Sequence, residues 1–412
     1  MTKRIAGILF IFFCTSAAWG ILGATILART FDADTRLRGR VASSWGAPHE
    51  QRPPTATYEK LVPTTVRETT GNTTTVRTVQ ESVATPLPLE RSRVRAALDL
   101  EHRRKGLLWY STYKVDFAGA YTFRNPTDKA QEVTFRFSYP AEQTIYDNLA
   151  VTLDDKPLAT QNEKTALVAM APLAAGQAAT LKVSYLSQGL DTWKYNFGDD
   201  VAQVRDFELL MTTNFKDIDF PANTLSPSEK RETPDGWELA WRYQNLVSGY
   251  QIGMAMPEKL QPGPLAGRIS FFAPVSLLFF FFLLFLITTL RGIDVHPMNY
   301  FFLACAFFSF HLLLAYLVDH ISIHAAFVIS SAVSIFLVVS YLRLVVGMRF
   351  ALLEAGLIQL VYLVLFSYTF FLEGYTGLSI TIGSILTLFV VMQMTGRVRW
   401  SERFAAKSTP TS

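Results

Sequence analysis

Few residues in this chain are of types that do acid–base or metal chemistry, and they are scattered. Asp319, His320 and His324 lie closest together. Were a helix to run back through them, the two imidazoles would share a face and could ligate a metal ion. Ile321 and Ile323 intervene and no third ligand type is adjacent, so a polar loop at a membrane interface accounts for them more simply. His311 stands inside an apolar run, where an ionisable group is costly and functional by default. A neutral imidazole there can instead hydrogen-bond across to a hydroxyl of another helix. His49-Glu50 lacks the second histidine of a zinc-protease motif, and Asp199-Asp200 and Asp217 with Asp219 read as solvated turn carboxylates. Glu354 is explained by pairing with Arg343 or Arg349. No phosphate loop, dinucleotide glycine pattern or Gly-x-Ser-x-Gly elbow is present. These residues predict no catalytic centre, no metal and no cofactor.

The elements that carry them are apolar. Five runs, roughly 269–290, 299–318, 324–342, 350–371 and 376–394, are each long enough to cross about 30 Å of hydrocarbon as a helix. Lipid offers no partner to an open backbone amide, so helices are expected. His296-Pro297 shapes the joint between two of them. The residue before proline is pushed out of helical geometry, so His296 ends the loop and Pro297 opens the helix. A sixth run, Ile5 to Leu27 after Lys3 and Arg4, is longer than a signal-peptide core and continues past Ser16-Ala17-Ala18. It reads as a retained anchor.

Of the 412 residues half are hydrophobic, and the mean hydropathy of +0.22 blends a very apolar third with an ordinary polar segment. A net charge of +4 favours neither a nucleic-acid groove nor an acidic tail. Both cysteines, Cys14 and Cys305, fall in apolar runs, so the polar segment has no disulfides. Ile11-Phe12-Phe13 lacks the small residues of a lipidation signal before Cys14. Lys3, Arg4, Arg343, Arg349 and the tail Arg397, Arg399, Arg403 and Lys407 put both termini in the cytoplasm. Loops holding Asp319, His320, His324 and Glu373 lie outside, with residues 29–268.

That polar segment alternates like β-strands. Val62 to Val79 is threonine and valine broken by Gly71-Asn72, a hairpin signal; Asn72-Thr73-Thr74 is read as turn chemistry, not a glycosylation site. Arg103-Arg104-Lys105-Gly106 makes a basic turn before Leu107 to Phe117. There Trp109, Ser111, Tyr113, Val115 and Phe117 share one face, with Tyr110, Thr112, Lys114 and Asp116 on the other. Strands follow at Val133 to Tyr139, Asn148 to Leu153, near Ala166, and Leu181 to Leu186. Asp235-Gly236 turns before Trp237 to Trp241. Short alternating runs at this spacing suggest an antiparallel sandwich, Ig-like in its middle, as one domain or two.

The expected fold class is thus an α-helical polytopic membrane protein with six transmembrane helices, one then five, and a large extracytoplasmic, mainly-β domain. Its parts are an anchor at 1–28, a linker at 29–60, the β-rich domain at 61–268, the five-helix domain at 269–396 and a basic tail at 397–412.

The membrane half resembles the CreD-like inner-membrane proteins, also called cell-envelope integrity proteins. The likeness is carried by His296-Pro297-Met298-Asn299-Tyr300, Phe310 with Leu312-Leu313-Leu314, Asp319-His320, Tyr341-Leu342, Gly383-Ser384, Met392, Thr395 and Trp400. Glu101 to Gly106 and Tyr113 to Gly119 are similar as well. The chain departs from the family in having Thr288 where a glutamate is usual. Thr395-Gly396-Arg397-Val398-Arg399-Trp400 stands for Thr-Arg-x-x-Asp-Trp, and His311 replaces an aromatic residue. The resemblance implies a bacterial inner-membrane protein tied to envelope integrity and to envelope-stress and β-lactam responses, without an established biochemical activity.

The residues to watch are therefore His296, Pro297, Tyr300, His311, Asp319, His320 and Trp400, as structural or functional positions and not catalytic ones. The expected partners are the lipid bilayer and, through the outside domain, an envelope protein or cell-wall component, with no nucleic acid. A transporter or channel is the alternative, for which an internal repeat and several midplane polar groups would be expected. No repeat is found, and His311 is the one such group visible in the sequence.

Overall fold

A computed structural model of the chain describes residues 2–70, 73–142, 144–198, 202–372, 374–396 and 398. The chain divides into two compact units, Arg36–Lys259 and Met1–Thr35 with Leu260–Ser412.

The linker expected at 29–60 is not one. Helix α1 runs Thr2–Ser44, and strands β1 (His49–Gln51) and β2 (Thr55–Thr70) take up most of the rest. Tertiary packing extends the helix where propensity alone would not. Leu37, Val41 and Trp45 recur every four residues. Val41 is buried, Leu37 lies against Gly106, and the Arg103 guanidinium sits 3.3 Å from the centre of the Trp45 ring.

In the β unit, β2 pairs with β3 (Thr73–Pro86) from Thr57 opposite Pro86 to Thr70 opposite Thr73, the expected hairpin. Gly71-Asn72 lies outside the described residues. These two join β6 (Gln131–Ser138), β10 (Ala166–Leu173) and β9 (Thr160–Asn162) in the order β3-β2-β6-β10-β9. A larger sheet has the order β14-β15-β13-β4-β5-β11-β7-β8. Its strands are Glu229–Glu232, Trp237–Ser248, Ala202–Thr213, Leu89–Lys105, Leu108–Arg124, Ala178–Leu190, Tyr146–Leu153 and Lys156–Pro157. A small third sheet pairs β1, β12 (Thr192–Tyr195) and β16 (Ile252–Ala255). Asp154 and Asp155 both take positive φ, the backbone a tight β7–β8 hairpin requires.

The two large sheets close on one core. Phe137 of the smaller packs against Phe117 and Tyr185 of the larger, with ring centres 6.5 and 6.3 Å apart. Trp193, Tyr195, Ile252 and Met254 of the third sheet belong to the same core, so the β region is one unit and not two. On β5, Tyr113, Val115 and Phe117 are buried and Lys114 and Asp116 exposed, as the alternation predicts. Tyr110 and Thr112, expected on the open face, are buried too, because the last turns of α1 cover that end; Arg38 lies 5.8 Å from the Tyr110 ring centre.

Among the described residues, six helices are long and apolar enough to span a bilayer. After α1 come α2 (Pro262–Arg291), α3 (Pro297–Leu317), α4 (Ile323–Val346), a fifth span Met348–Phe371 and a last helix Thr376–Thr395. Helix α2 starts seven residues before the apolar run at Ile269. Prolines suit its first turn, and Gly263 and Gly267 let it approach α1 closely: added Cβ atoms would meet Thr30 at 2.8 Å and Leu27 at 3.1 Å. The domain expected to end at 268 therefore ends at Lys259. The fifth span contains two π-helical stretches, Ala351–Ala355 and Leu360–Leu365, a form often found where function needs it.

Candidate functional site

At the joint between α2 and α3, the sequence signal becomes a small cluster. His296 has extended backbone and is the N-cap of α3, its Nδ1 accepting from the Met298 amide at 3.2 Å. Pro297 opens the helix, so near α1 that a Cβ on Gly7 would meet it at 3.1 Å. Arg4 of α1 reaches Asp294 at 3.2 Å and Thr288 at 3.4 Å, and covers the Phe285 ring. Tyr300 is buried, its ring edge-on to Phe281 and its hydroxyl beside Thr288 and Arg4. Three sequence candidates, His296, Pro297 and Tyr300, thus meet at one joint. Asp294 is paired with Arg4 there, and His296 is committed to the helix cap. Glu354, expected to pair with Arg343 or Arg349, instead pairs with Arg291 of α2. Arg291 ends a helix that folds back beside the fifth span, which the sequence order does not reveal.

His311 stands apart from that cluster. It is wholly buried, with Nδ1 3.2 Å from the Phe307 carbonyl and the Trp19 ring edge-on at 5.4 Å. Its Nε2 has no hydrogen-bond partner among the described residues. Between α3, α4 and the fifth span lies a polar link the sequence reading missed. Buried Gln359 donates to Ser334 at 2.8 Å, and Ser334 donates to the Ala306 carbonyl at 2.6 Å. The second amide atom of Gln359 and the hydroxyl of Ser330, one turn from Ser334, have no partner among the described residues. The serines of Ser330-Ser331-x-x-Ser334 and a glutamine within an apolar run were the available signal.

Asp319 pairs with Arg29 at 3.4 Å. Helix α4 begins at Ile323 with Ser322 as its cap, so it does not run back through His320, and His320 and His324 share no helical face. His320 is exposed in the preceding turn, and His324 lies 5.2 Å from the Phe371 ring. Among the described residues, no three His, Cys, Asp or Glu side chains are placed to hold a metal ion. Trp400, the basic tail residues, Glu373 and Asp199-Asp200 lie outside the described residues.

The β unit offers a different feature. The outer face of its large sheet forms an open cleft of about 560 Å³. Register sets neighbours across it: Thr152, Lys182, Ala120, Arg93 and Glu208 in one row, and Ala150, Ser184, Ala118, Arg95 and Leu210 in the next. Alanines on the floor let a ligand come close to the sheet. Arg93 is engaged by Asp206 and Glu208, and Lys182 by Asp155. Hydrogen bonds from Arg93 and then Arg91 hold the Asp206 carboxyl below its ordinary range. Arg95 is exposed and has no ion-pair partner among the described residues. A small-residue floor with an uncommitted guanidinium suits an extended anionic or polar ligand.

A family model described as Inner membrane protein CreD matches residues 201–401. No curated protein matches the chain. Among solved structures, a proposed nutrient binding protein from Legionella pneumophila is 9% identical with a TM-score of 0.32, over 56% of this chain and 76% of that one. An M1 zinc metallopeptidase from Deinococcus radiodurans is 9% identical with a TM-score of 0.27, over 41% of this chain and 42% of that one. Scores this low carry no argument about this chain.

Proposed function

We propose, from the match of residues 201–401 to the family model described as Inner membrane protein CreD, that the chain is a CreD-like inner-membrane protein with a non-enzymatic role in cell-envelope integrity or the envelope-stress response. In this proposal the β unit binds an envelope protein or cell-wall component. Both termini are cytoplasmic and the β unit is periplasmic, supported by Lys3, Arg4, Arg343 and Arg349 against loops holding Asp319, His320 and Glu373. Reporters fused after Gly198 and at the C-terminus must then report opposite compartments; the same compartment for both would refute the topology.

The observation that carries the binding role is the cleft on the large sheet, with its alanine floor and the uncommitted Arg95. Ala118→Trp should fill it, and Arg95→Glu should reverse its charge. Each variant should fail to restore envelope resistance to detergent and β-lactam in a deletion strain, while protein level and topology stay as in the parent. Full restoration by both would remove the cleft from the function.

A second reading, a transporter or channel, is favoured by one observation: the buried polar link Gln359–Ser334–Ala306 beside two π-helical stretches. Proteoliposomes decide it. Ion flux through the wild type that Gln359→Leu abolishes would establish transport, and no flux through either would leave the binding role.

A further inference from the structure

The basic turn of the β unit has no part in that cleft. Arg103-Arg104-Lys105-Gly106-Leu107 forms the tip of the β4–β5 hairpin, with Gly106 in the left-handed region at φ 61° and all five residues exposed. Arg103 is committed, paired with Glu101 at 3.2 Å and laid over Trp45. Arg104 donates to the Gly106 carbonyl of its own turn, and neither Arg104 nor Lys105 has an ion-pair partner among the described residues. Leu107 beside them is 41% exposed.

Two short stretches of chain tie this tip to the membrane-spanning helices. His102 and Ser111, flanking the tip, both bond the Pro257 carbonyl, at 2.9 and 2.6 Å, and Lys259 lies 4.3 Å from the Trp109 ring centre. Pro262 opens α2 three residues after Lys259, a span of about 11 Å at most when fully extended. From the other side, a Cβ on Gly106 would meet Leu37 at 3.1 Å. Leu37 is ten residues beyond Leu27, where the apolar run of α1 ends, or about 15 Å along a helix. A tip joined by so few residues to the start of α2, with two uncommitted cations and an exposed leucine, has the composition of an interfacial anchor.

We propose that Arg104, Lys105 and Leu107 form a docking surface for anionic phospholipid headgroups of the bilayer the helices cross. The guanidinium and ammonium donate to headgroup phosphate oxygens, and Leu107 enters the interface. This inference does not depend on the partner proposed for the cleft.

The full chain tests it, reconstituted in nanodiscs with Cys14 and Cys305 changed to alanine and an environment-sensitive fluorophore on Leu107→Cys. In discs containing phosphatidylglycerol, a nitroxide on the lipid headgroup should quench the fluorophore several-fold more than in discs of phosphatidylcholine alone. Neutralising each cation, R104Q then K105Q, should weaken the docked population about fivefold per charge. Raising salt to about 0.5 M should do the same to the unaltered tip, since screening shortens the reach of its charges; this control is unaffected by any folding defect of a variant. Equal quenching in both lipids, or quenching indifferent to R104Q, K105Q and salt, would overturn the proposal.

Discussion

Asn125 in the β unit and Gln359 in the membrane unit are both wholly buried amides, and they are treated differently. Asn125 donates to the carbonyls of Lys129, Leu173 and Ala174 at 2.8–3.1 Å and accepts from the amide and hydroxyl of Thr127. Gln359 makes one bond, to Ser334, and its other amide atom has no partner among the described residues. The same contrast recurs nearby. Trp241 donates to Leu225, while Trp19 finds no acceptor among the described residues. Asn125, fully paired, ties the loop of Thr127 and Lys129 to the chain at Leu173 and Ala174. Gln359 and Trp19 leave polar atoms unpaired among the described residues, so the fold alone explains them less well than it explains Asn125.

The comparison is broken most severely at Asn125. Asn125→Leu removes five hydrogen bonds at once, and should destabilise the β unit by about 3 kcal/mol or more. Urea unfolding of the detergent-solubilised chain, followed by tryptophan fluorescence, measures it. A loss under about 1 kcal/mol would mean the network is ornamental.

His49 tests whether the β unit tolerates a charge in the same interior. Burial pushes its imidazole down to about 4 from an ordinary 6.5, against a smaller opposing hydrogen bond with the Gln188 backbone. The unfolded chain therefore takes up a proton first as pH falls. Stability held above pH 6.5 should be lost progressively toward pH 4, by about 3 kcal/mol in all. In His49→Gln this slope between pH 6.5 and 4 should vanish. A slope of the same size in the variant would assign it to other groups.

These two residues also mark the limits of sequence reading. The apolar runs were legible because crossing a bilayer demands length and composition together, and the β-strands because one buried face demands alternation. His49 looked like a broken metal motif, since nothing local tells that Ser187, Tyr113 and the backbone of β11 would close around it. The α1 extension to Ser44 escaped for a related reason. Arg29 to Arg40 is rich in charge, and only Leu37, Val41 and Trp45, once packed, make it helical. Of the site candidates, His296, Pro297 and Tyr300 were legible as one motif, because proline fixes local geometry whatever surrounds it. Arg4 and Thr288, which complete that joint, come from helices far apart in sequence.

A smaller effect should separate the two members of that motif. Pro297 both pre-sets the first turn of α3 and touches Gly7 of α1, whereas His296 supplies a single cap at 3.2 Å. Pro297→Ala should lower stability by about 1 kcal/mol. His296→Gln keeps a side-chain acceptor and should cost roughly half that or less. Thermal unfolding in bilayer discs ranks them, and the reverse order would assign the joint to the imidazole.

The smallest expected effect is the sharpest test of the contrast, and it falls on His311. Its Nδ1 bonds a carbonyl one turn back, an acceptor already engaged by the helix itself, and its Nε2 is unpaired among the described residues. What remains is ring packing against Trp19 and Phe310. Phenylalanine keeps those ring contacts and removes a buried polar atom that no hydrogen bond offsets. His311→Phe should therefore change thermal stability in discs by no more than about 0.5 kcal/mol, and any change should be upward. A loss of 2 kcal/mol or more would show that Nε2 is held by something in the bilayer, a water or a second chain, and the contrast with Asn125 would close at that residue. If stability is unchanged but envelope resistance is lost, the imidazole acts on protons or ligands, and the transport reading rises above the binding one.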